Sequence, residues 1–471
     1  MKRLHSLWAL ALGLFLGISS VNAATGVPVA RYDFGKDPMR YLENSRLRLG
    51  VDLSLGGAVT LLEDKKNGNV NMINSHDWGR QIQMSYYSGP IPYIGPKKEE
   101  PHKAWAQLGW NPIQSGSVGR IKSRTLAFEK PDAKTIRVRC VPMQWPHINV
   151  EGDCIFEVTY TLVSENTIQM KARIINQRQD KTQYPGRHQE MPALYTNGPW
   201  YKLVTYTGDS PFTDAPTTNI VDKADGKGWP WSYFEATEQW SALVNDSNIG
   251  VGLYQSEVIP VTGGFAGGDN KKGVGGCKDM QTGYIAPIGT LILDYNIDWT
   301  YQTYLIVGSV NEIRRTAKAL HGPPVAPSWR FENDRKGFTY RGSANDSGWP
   351  IKDALQITYR EEARGVVASP TTVWQAERMP TLNLDAAFTF STTNKTANVV
   401  IEVVTFSGKR IAYPLKVLSD GTRQNYSIPL AVNAQYTGAM KQILLYLPKA
   451  NGTLRFYKLQ GSSDKKLEFK K

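Results

Sequence analysis

Phe156-Glu157-Val158-Thr159-Tyr160-Thr161-Leu162, followed by Ser164-Glu165-Asn166 and then by Ile168-Gln169-Met170-Lys171-Ala172-Arg173-Ile174, alternates apolar and polar side chains on both sides of one polar turn. In an extended chain a period of two puts every apolar residue on one face. The stretch therefore predicts an antiparallel hairpin with one face in a core and Glu157, Thr159, Thr161, Gln169, Lys171 and Arg173 toward water. Beyond Asn176 the chain enters Tyr184-Pro185-Gly186-Arg187-His188-Gln189-Glu190-Met191-Pro192-Ala193-Leu194-Tyr195. The same alternation points His188 and Glu190 one way and Arg187 and Gln189 the other. One sheet face thus carries an imidazole and a carboxylate.

Upstream, Leu47, Leu49, Val51 and Leu53 alternate, Gly56-Gly57 turns the chain, and Ala58 to Leu62 returns as a second hairpin. The Gly-, Pro- and Tyr-rich segment from Tyr86 to Trp110 is too long for a mere connection. Further strands are expected at 135–141, 203–206, 240–245, 250–255, 290–297 and 303–307, with aromatic and glycine loops at 229–234 and 263–269. One helix is expected, Val310 to Leu320. A Gly/Pro linker over 322–328 separates residues 24–321 from a second unit, 329–460. Seven short strands between Val373 and Lys458 make that unit a β-sandwich, and the Lys-rich tail 461–471 reads as disordered. The fold class is all-β.

Met1-Lys2-Arg3, an apolar run from Leu7 to Ile18 and Val21-Asn22-Ala23 read as a secretory signal peptide, residues 1–23. The expected location is secreted or periplasmic, and no other run is long and apolar enough to span a bilayer. Lys and Arg outnumber Asp and Glu by 55 to 42, a net charge of +13 that removal of Lys2 and Arg3 lowers to +11. That balance favours an anionic glycan as partner. The basic residues are scattered, and no nucleic-acid motif is present. Cys140 and Cys154 flank one strand connection and are candidates for a bridge in an oxidising compartment, with Cys277 left over. No His/Cys/Asp cluster has metal-ligand spacing, although a loop carboxylate such as Asp269 suits calcium. No cofactor is expected.

The order of Leu47 to Leu62 with its Gly-Gly-Ala, the pair Gly79-Arg80, the hairpin Phe156 to Asn176 and the closing strand Thr303 to Val307 resembles the galactose mutarotase-like β-supersandwich proteins, over roughly Ala30 to Leu320. This resemblance implies an antiparallel supersandwich whose concave face binds sugar, and it makes Arg80 a sugar-hydroxyl ligand. The epimerases' Asn-His-x-Tyr-Phe-Asn motif is absent, which argues against a simple mutarotase. The second unit, with Phe331-Glu332-Asn333-Asp334 and Gly337-Phe338 near its start, looks like a carbohydrate-binding jelly roll.

Cleaving a glycosidic bond needs an acid for the leaving oxygen and a second carboxylate as base or nucleophile. Glu190 is the candidate acid, because a carboxyl on a sheet floor near apolar rings has a raised pKa. Glu238 and Asp77 are the candidate partners. Arg80, Gln81, Arg187 and Gln189 are candidate hydroxyl ligands, and Trp78, Trp105, Trp231 and Trp240 offer flat rings for sugar CH faces. The expected function is an exported glycoside hydrolase acting on a polysaccharide. One alternative is a polysaccharide lyase with Tyr195 and His188 supplying base chemistry. The other is a non-catalytic glycan-binding protein.

Overall fold

Alternation in the 156–174 stretch becomes the strands Cys154–Leu162 and Thr167–Asn176, antiparallel with Tyr160 opposite Met170. Phe156, Val158, Tyr160, Ile168, Met170 and Ile174 are buried in one core, while Glu157 and Arg173 on the far face join Arg139 and Asp298 in a ladder of ion pairs. In the computed structural model, residues 28–220, 231–266, 275–323, 325–391 and 394–462 are described. The expected signal peptide, Trp229, Asp269 and the tail from 463 on lie outside them.

The hairpin is central to a nine-stranded antiparallel sheet, which runs in spatial order Thr218–Ile220, Lys202–Thr205, Trp240–Val244, Ile249–Tyr254, Asp298–Ser309, Thr167–Asn176, Cys154–Leu162, Thr135–Val141 and Arg124–Asp132. A ten-stranded sheet faces it, in the order Met39–Glu43, Leu47–Asp52, Ala58–Asp64, Ile82–Ser85, Arg187–Asn197, Thr282–Leu291, Pro260–Ala266 and Trp231–Glu235, with two short strands at its flank. Leu49, Val51, Leu194, Ile285 and Leu305 fill the space between the sheets. The helix Val310–His321 starts at a capping box, Ser309 with Glu312, and lays Ile313 and Ala317 on Trp240, Ala242 and Ile306. It covers the outer face of the nine-stranded sheet. The outer face of the other sheet carries a buried cluster of its own, Ala193, Tyr284, Ala286 and Ile288.

Two expected loops are strands instead. Trp231–Glu235 forms the edge of the ten-stranded sheet, and the glycine-rich segment supplies its neighbour, Pro260–Ala266. Gly263 is required there, because a Cβ would lie 2.7 Å from the Tyr284 carbonyl oxygen. The strand expected over 290–297 lies earlier, at Thr282–Leu291, where Gly283, Pro287 and Gly289 obscure the period. Cys140 and Cys154 are both free thiols. Cys140 pairs across the ladder with Phe156, so Cys154 sits two positions further along the partner strand.

Residues 328–462 form two further six-stranded antiparallel sheets packed over Phe331, Leu384, Phe388, Val403, Ile443 and Phe456. Five short strands precede the seven that were expected, from Ser328–Arg330 to Val366–Ala368, and the one expected over 373–379 is only Trp374–Gln375 before a 3-10 turn. Gly337, Gly342 and Gly348, all at positive φ, cut the early region into pieces too short to show a period. The last strand runs to Ser462, so Gly461 and Ser462 belong to the sheet and not to a tail; they pair with Leu382 and Thr381.

Among the described residues several polar contacts tie the two units together, including one from Asn296 Nδ2 to the Trp349 carbonyl at 3.0 Å. Arg335 donates to Asp294 of the first unit and to Asp346 of the second, and Gln183 donates to both carboxylates at 2.9 and 2.8 Å. Lys441 Nζ lies 3.2 Å from Glu235, and Gln375 Nε2 donates to the Asp209 carbonyl at 2.8 Å.

Candidate active site

Cross-strand register builds the outer face of the ten-stranded sheet in rows. Trp231 lies opposite Gly264, Gly264 opposite Tyr284, and Tyr284 opposite Tyr195. With no side chain at Gly264, the Trp231 and Tyr284 rings meet over that strand at 4.8 Å between centroids, and Tyr284 meets Tyr195 at 4.7 Å. Higher up, Glu190 lies opposite Ile288 on one side and Ser85 on the other. A β-bulge between Glu190 and Leu194 shifts the register by one, which brings Ala193 and Tyr195 onto the face already occupied by His188 and Glu190. His188 and Tyr233 stand three strand positions apart, yet their rings approach to 5.8 Å. Strands neighbour each other at roughly 4.8 Å, so the face must curl inward to allow this. It is concave.

At its floor Glu190 is half-buried and accepts hydrogen bonds on both carboxylate oxygens, from Tyr284 Oη on Oε1 and from Tyr87 Oη on Oε2, the latter at 3.2 Å. Burial pushes its carboxyl above the ordinary value, against the opposing pull of donors on Ser85, Tyr284 and Tyr87. Burial and then the Glu190 charge push Tyr87, Tyr195 and Tyr284 well above an ordinary phenol. All three are therefore neutral hydroxyl donors and poor bases. Burial, followed by the neighbouring Arg187 guanidinium, lowers His188, so its imidazole is neutral at pH 7.

The sequence candidates separate cleanly. His188, Glu190, Tyr195 and Trp231 share the concave face. Asp77 and Arg80 form an ion pair at 3.3 Å whose charges reach Tyr195, and Arg80 also donates to the Met280 carbonyl at 2.8 Å. Trp78 lies beside them with the Lys122 and Lys278 ammonium groups each 5.5 Å from its ring, and Trp105 packs edge-on against Trp145.

Glu238 requires correction. It is fully buried outside the face, where Arg314, the Trp240 indole and the Phe212 amide donate to both its oxygens, so it anchors the helix to the nine-stranded sheet. Trp240 is equally buried and offers no ring to a ligand. Gln81 and Gln189 are fully buried as well: Gln81 donates to the Asp77 carbonyl, and Gln189 clamps the Tyr87 backbone through both its amide atoms. Arg187 donates to the Ser88 and Leu108 carbonyls, holding the long 86–110 loop to the sheet. On the strand Arg187–Asn197, Arg187 and Gln189 leave on the side opposite to His188 and Glu190, because successive residues of an extended chain alternate faces.

Tyr87, Tyr284 and Tyr233 belong to the site and were not singled out from sequence. Tyr87 is the second residue of the long 86–110 segment, and Tyr284 lies in the run Thr282-Gly283-Tyr284-Ile285-Ala286, whose alternation Gly283 weakens. Among the described residues no group of three or more His, Cys, Asp or Glu side chains is arranged to hold a metal ion, and no helix is long and apolar enough to cross a membrane.

No family model matches the chain, and no curated protein matches it in sequence. Solved structures give weak likenesses. A 4-alpha-glucanotransferase from Thermococcus litoralis aligns at 10% identity and a TM-score of 0.31, over 59% of this chain and 38% of its own length. The GalM/aldose epimerase homologue from C. elegans aligns at 11% identity and 0.35, over 58% of this chain and 99% of its own. The CBM22-1 xylan-binding domain of Paenibacillus barcinonensis Xyn10C aligns at 14% identity and 0.21, over 30% of this chain and 97% of its own. The chain thus spans well under half of the glucanotransferase.

Proposed function

We propose that this protein acts on carbohydrate and hydrolyses a glycosidic bond on the concave face, with Glu190 as general acid. The observation that carries the reading is the Glu190 carboxyl itself, half-buried on a curved floor of Tyr195, Tyr284 and Trp231 rings and held from both sides by phenolic hydroxyls. Of these rings the half-buried Tyr195 and Trp231 are open to stack on the CH faces of sugars, with the buried Tyr284 supporting them. A carboxyl with a raised pKa retains its proton at a pH where an ordinary one has lost it. In the step proposed, that proton passes to the glycosidic oxygen as the C–O bond breaks, water adds to the anomeric carbon, and the water's proton leaves to Asp77. Asp77 takes this role because Glu238 is sealed by Arg314.

The test is digestion of neutral and acidic polysaccharides, with products followed by reducing ends and by the ultraviolet absorbance of unsaturated uronates. Reducing ends without new absorbance, falling about 10²–10⁴-fold in Glu190→Gln, are expected. New absorbance identifies β-elimination instead, and the neutral, exposed His188 is then the base in preference to Tyr195, whose phenol is held far above the working range. Binding without turnover across the panel identifies a glycan-binding protein.

A further inference from the structure

A cavity of about 950 Å³ lies between the two units, and His188, Ile288 and Glu257 of the first face Trp329, Lys336 and Thr372 of the second across it. Its size is at the upper end of the roughly 300–1,000 Å³ of pockets that enclose small ligands. It is not a gap left by loose docking. The buried Arg335–Asp294–Asp346 cluster, the Glu235–Lys441 pair and the Asp209–Gln375 bond fix the two units to each other. The cavity also joins the concave face. Ile288 is the cross-strand partner of Glu190, and His188 precedes Glu190 on the same face, so both residues belong to the site and to the cavity wall.

From this continuity we infer that the cavity between the units binds the continuation of the glycan chain whose reacting sugar lies at Glu190. The protein then takes an oligosaccharide or polysaccharide and not a single sugar, and the second unit supplies part of the binding site. The wall chemistry matches that ligand class. Trp329 presents a ring braced edge-on by Phe338, threonine and serine hydroxyls surround it, and Glu257 lies within electrostatic reach of Asp334 and Lys336. Rings with interleaved hydroxyl, carboxylate and ammonium groups fit a ligand of alternating CH faces and hydroxyls.

The inference rests on the carbohydrate reading, and the experiment separates the two. Binding of cello-, xylo- and chondroitin oligosaccharides, from disaccharide to hexasaccharide, is measured by calorimetry on the full chain carrying Glu190→Gln. The same ladders are then measured with Ser328→Trp or Thr372→Trp added, each placing a bulky ring in the cavity from the second unit. Affinity should rise with chain length in the parent. Either filled variant should lose that rise, by about tenfold or more for the longest member, while disaccharide affinity stays unchanged. Thermal melts matching the parent certify folding, and two variants on separate segments guard against one that misfolds. Length dependence unchanged by filling overturns the inference and leaves the reading of Glu190 standing. No binding by any ladder, with no digestion of the panel, overturns both.

Discussion

Tyr284→Phe isolates the contact on which the proposed chemistry depends. The substitution keeps the ring, and with it the contacts to Tyr195 at 4.7 Å and Trp231 at 4.8 Å, and deletes the hydroxyl that donates to Glu190 Oε1. A hydrogen bond to a charged group is worth about 1.5–3 kcal/mol and one between neutral groups about 0.5–1.5. The cost of the substitution must therefore depend on the charge of Glu190. Burial raises Glu190 above 4.5, so the folded protein holds this proton more tightly than the unfolded chain. The stability it contributes is complete below 4.5 and is lost as pH rises through the folded value. Removing a donor that favours the ionised form raises that value further, so the variant loses more stability at neutral pH than in acid. Urea denaturation followed by tryptophan fluorescence should give a penalty near 1.5–3 kcal/mol at pH 7 and about 1 kcal/mol less below 4.5. In the Glu190→Gln background the neutral-pH penalty should fall to the smaller figure. Equal penalties at both pH values, with the two substitutions additive within about 0.5 kcal/mol, would show that Tyr284 and Glu190 are not coupled and refute the reasoning.

Arg314→Met should destabilise by about 3–5 kcal/mol, because it strands Glu238 in the core with no opposing charge; a denaturation midpoint unchanged from wild type would contradict its anchoring role. The same variant, assayed below its melting temperature, should retain turnover, since Glu238 lies off the concave face. For hydrolysis, kcat/KM should decline as pH rises through the Glu190 value, on a limb above the ordinary 4.5 set by burial, and a limb at or below 4.5 in the pH profile would remove Glu190 as the acid. Arg335→Met, which leaves Asp294 and Asp346 buried without their cation, should split calorimetric unfolding into two transitions as the units uncouple; a single transition would show that other contacts hold them.

Much of the fold was legible because it is local. Alternation at 156–174 marked both hairpin strands and their buried faces, and the helix expected over Val310 to Leu320 runs Val310–His321. Edge strands and glycine-bearing strands were not legible. Pro260–Ala266 looks like a loop because its glycines serve ring packing and close backbone approach, which composition cannot distinguish from turning, and Trp231–Glu235 is an edge strand too short to show a period.

By itself the sequence determined which way each side chain leaves its strand, and so placed His188 and Glu190 on one face with Arg187 and Gln189 on the other. That direction is a property of adjacent residues in an extended chain. Tertiary structure alone decided which residues stand opposite them. Tyr284 is 94 positions from Glu190 and Tyr87 is 103, and only the register of the ten-stranded sheet brings their hydroxyls to one carboxylate. The bulge after Glu190 likewise turned Tyr195 into the site, and the docking of one helix sealed Glu238 beneath Arg314. Pairing between strands distant in the chain depends on how the whole core closes, so no local pattern encodes it.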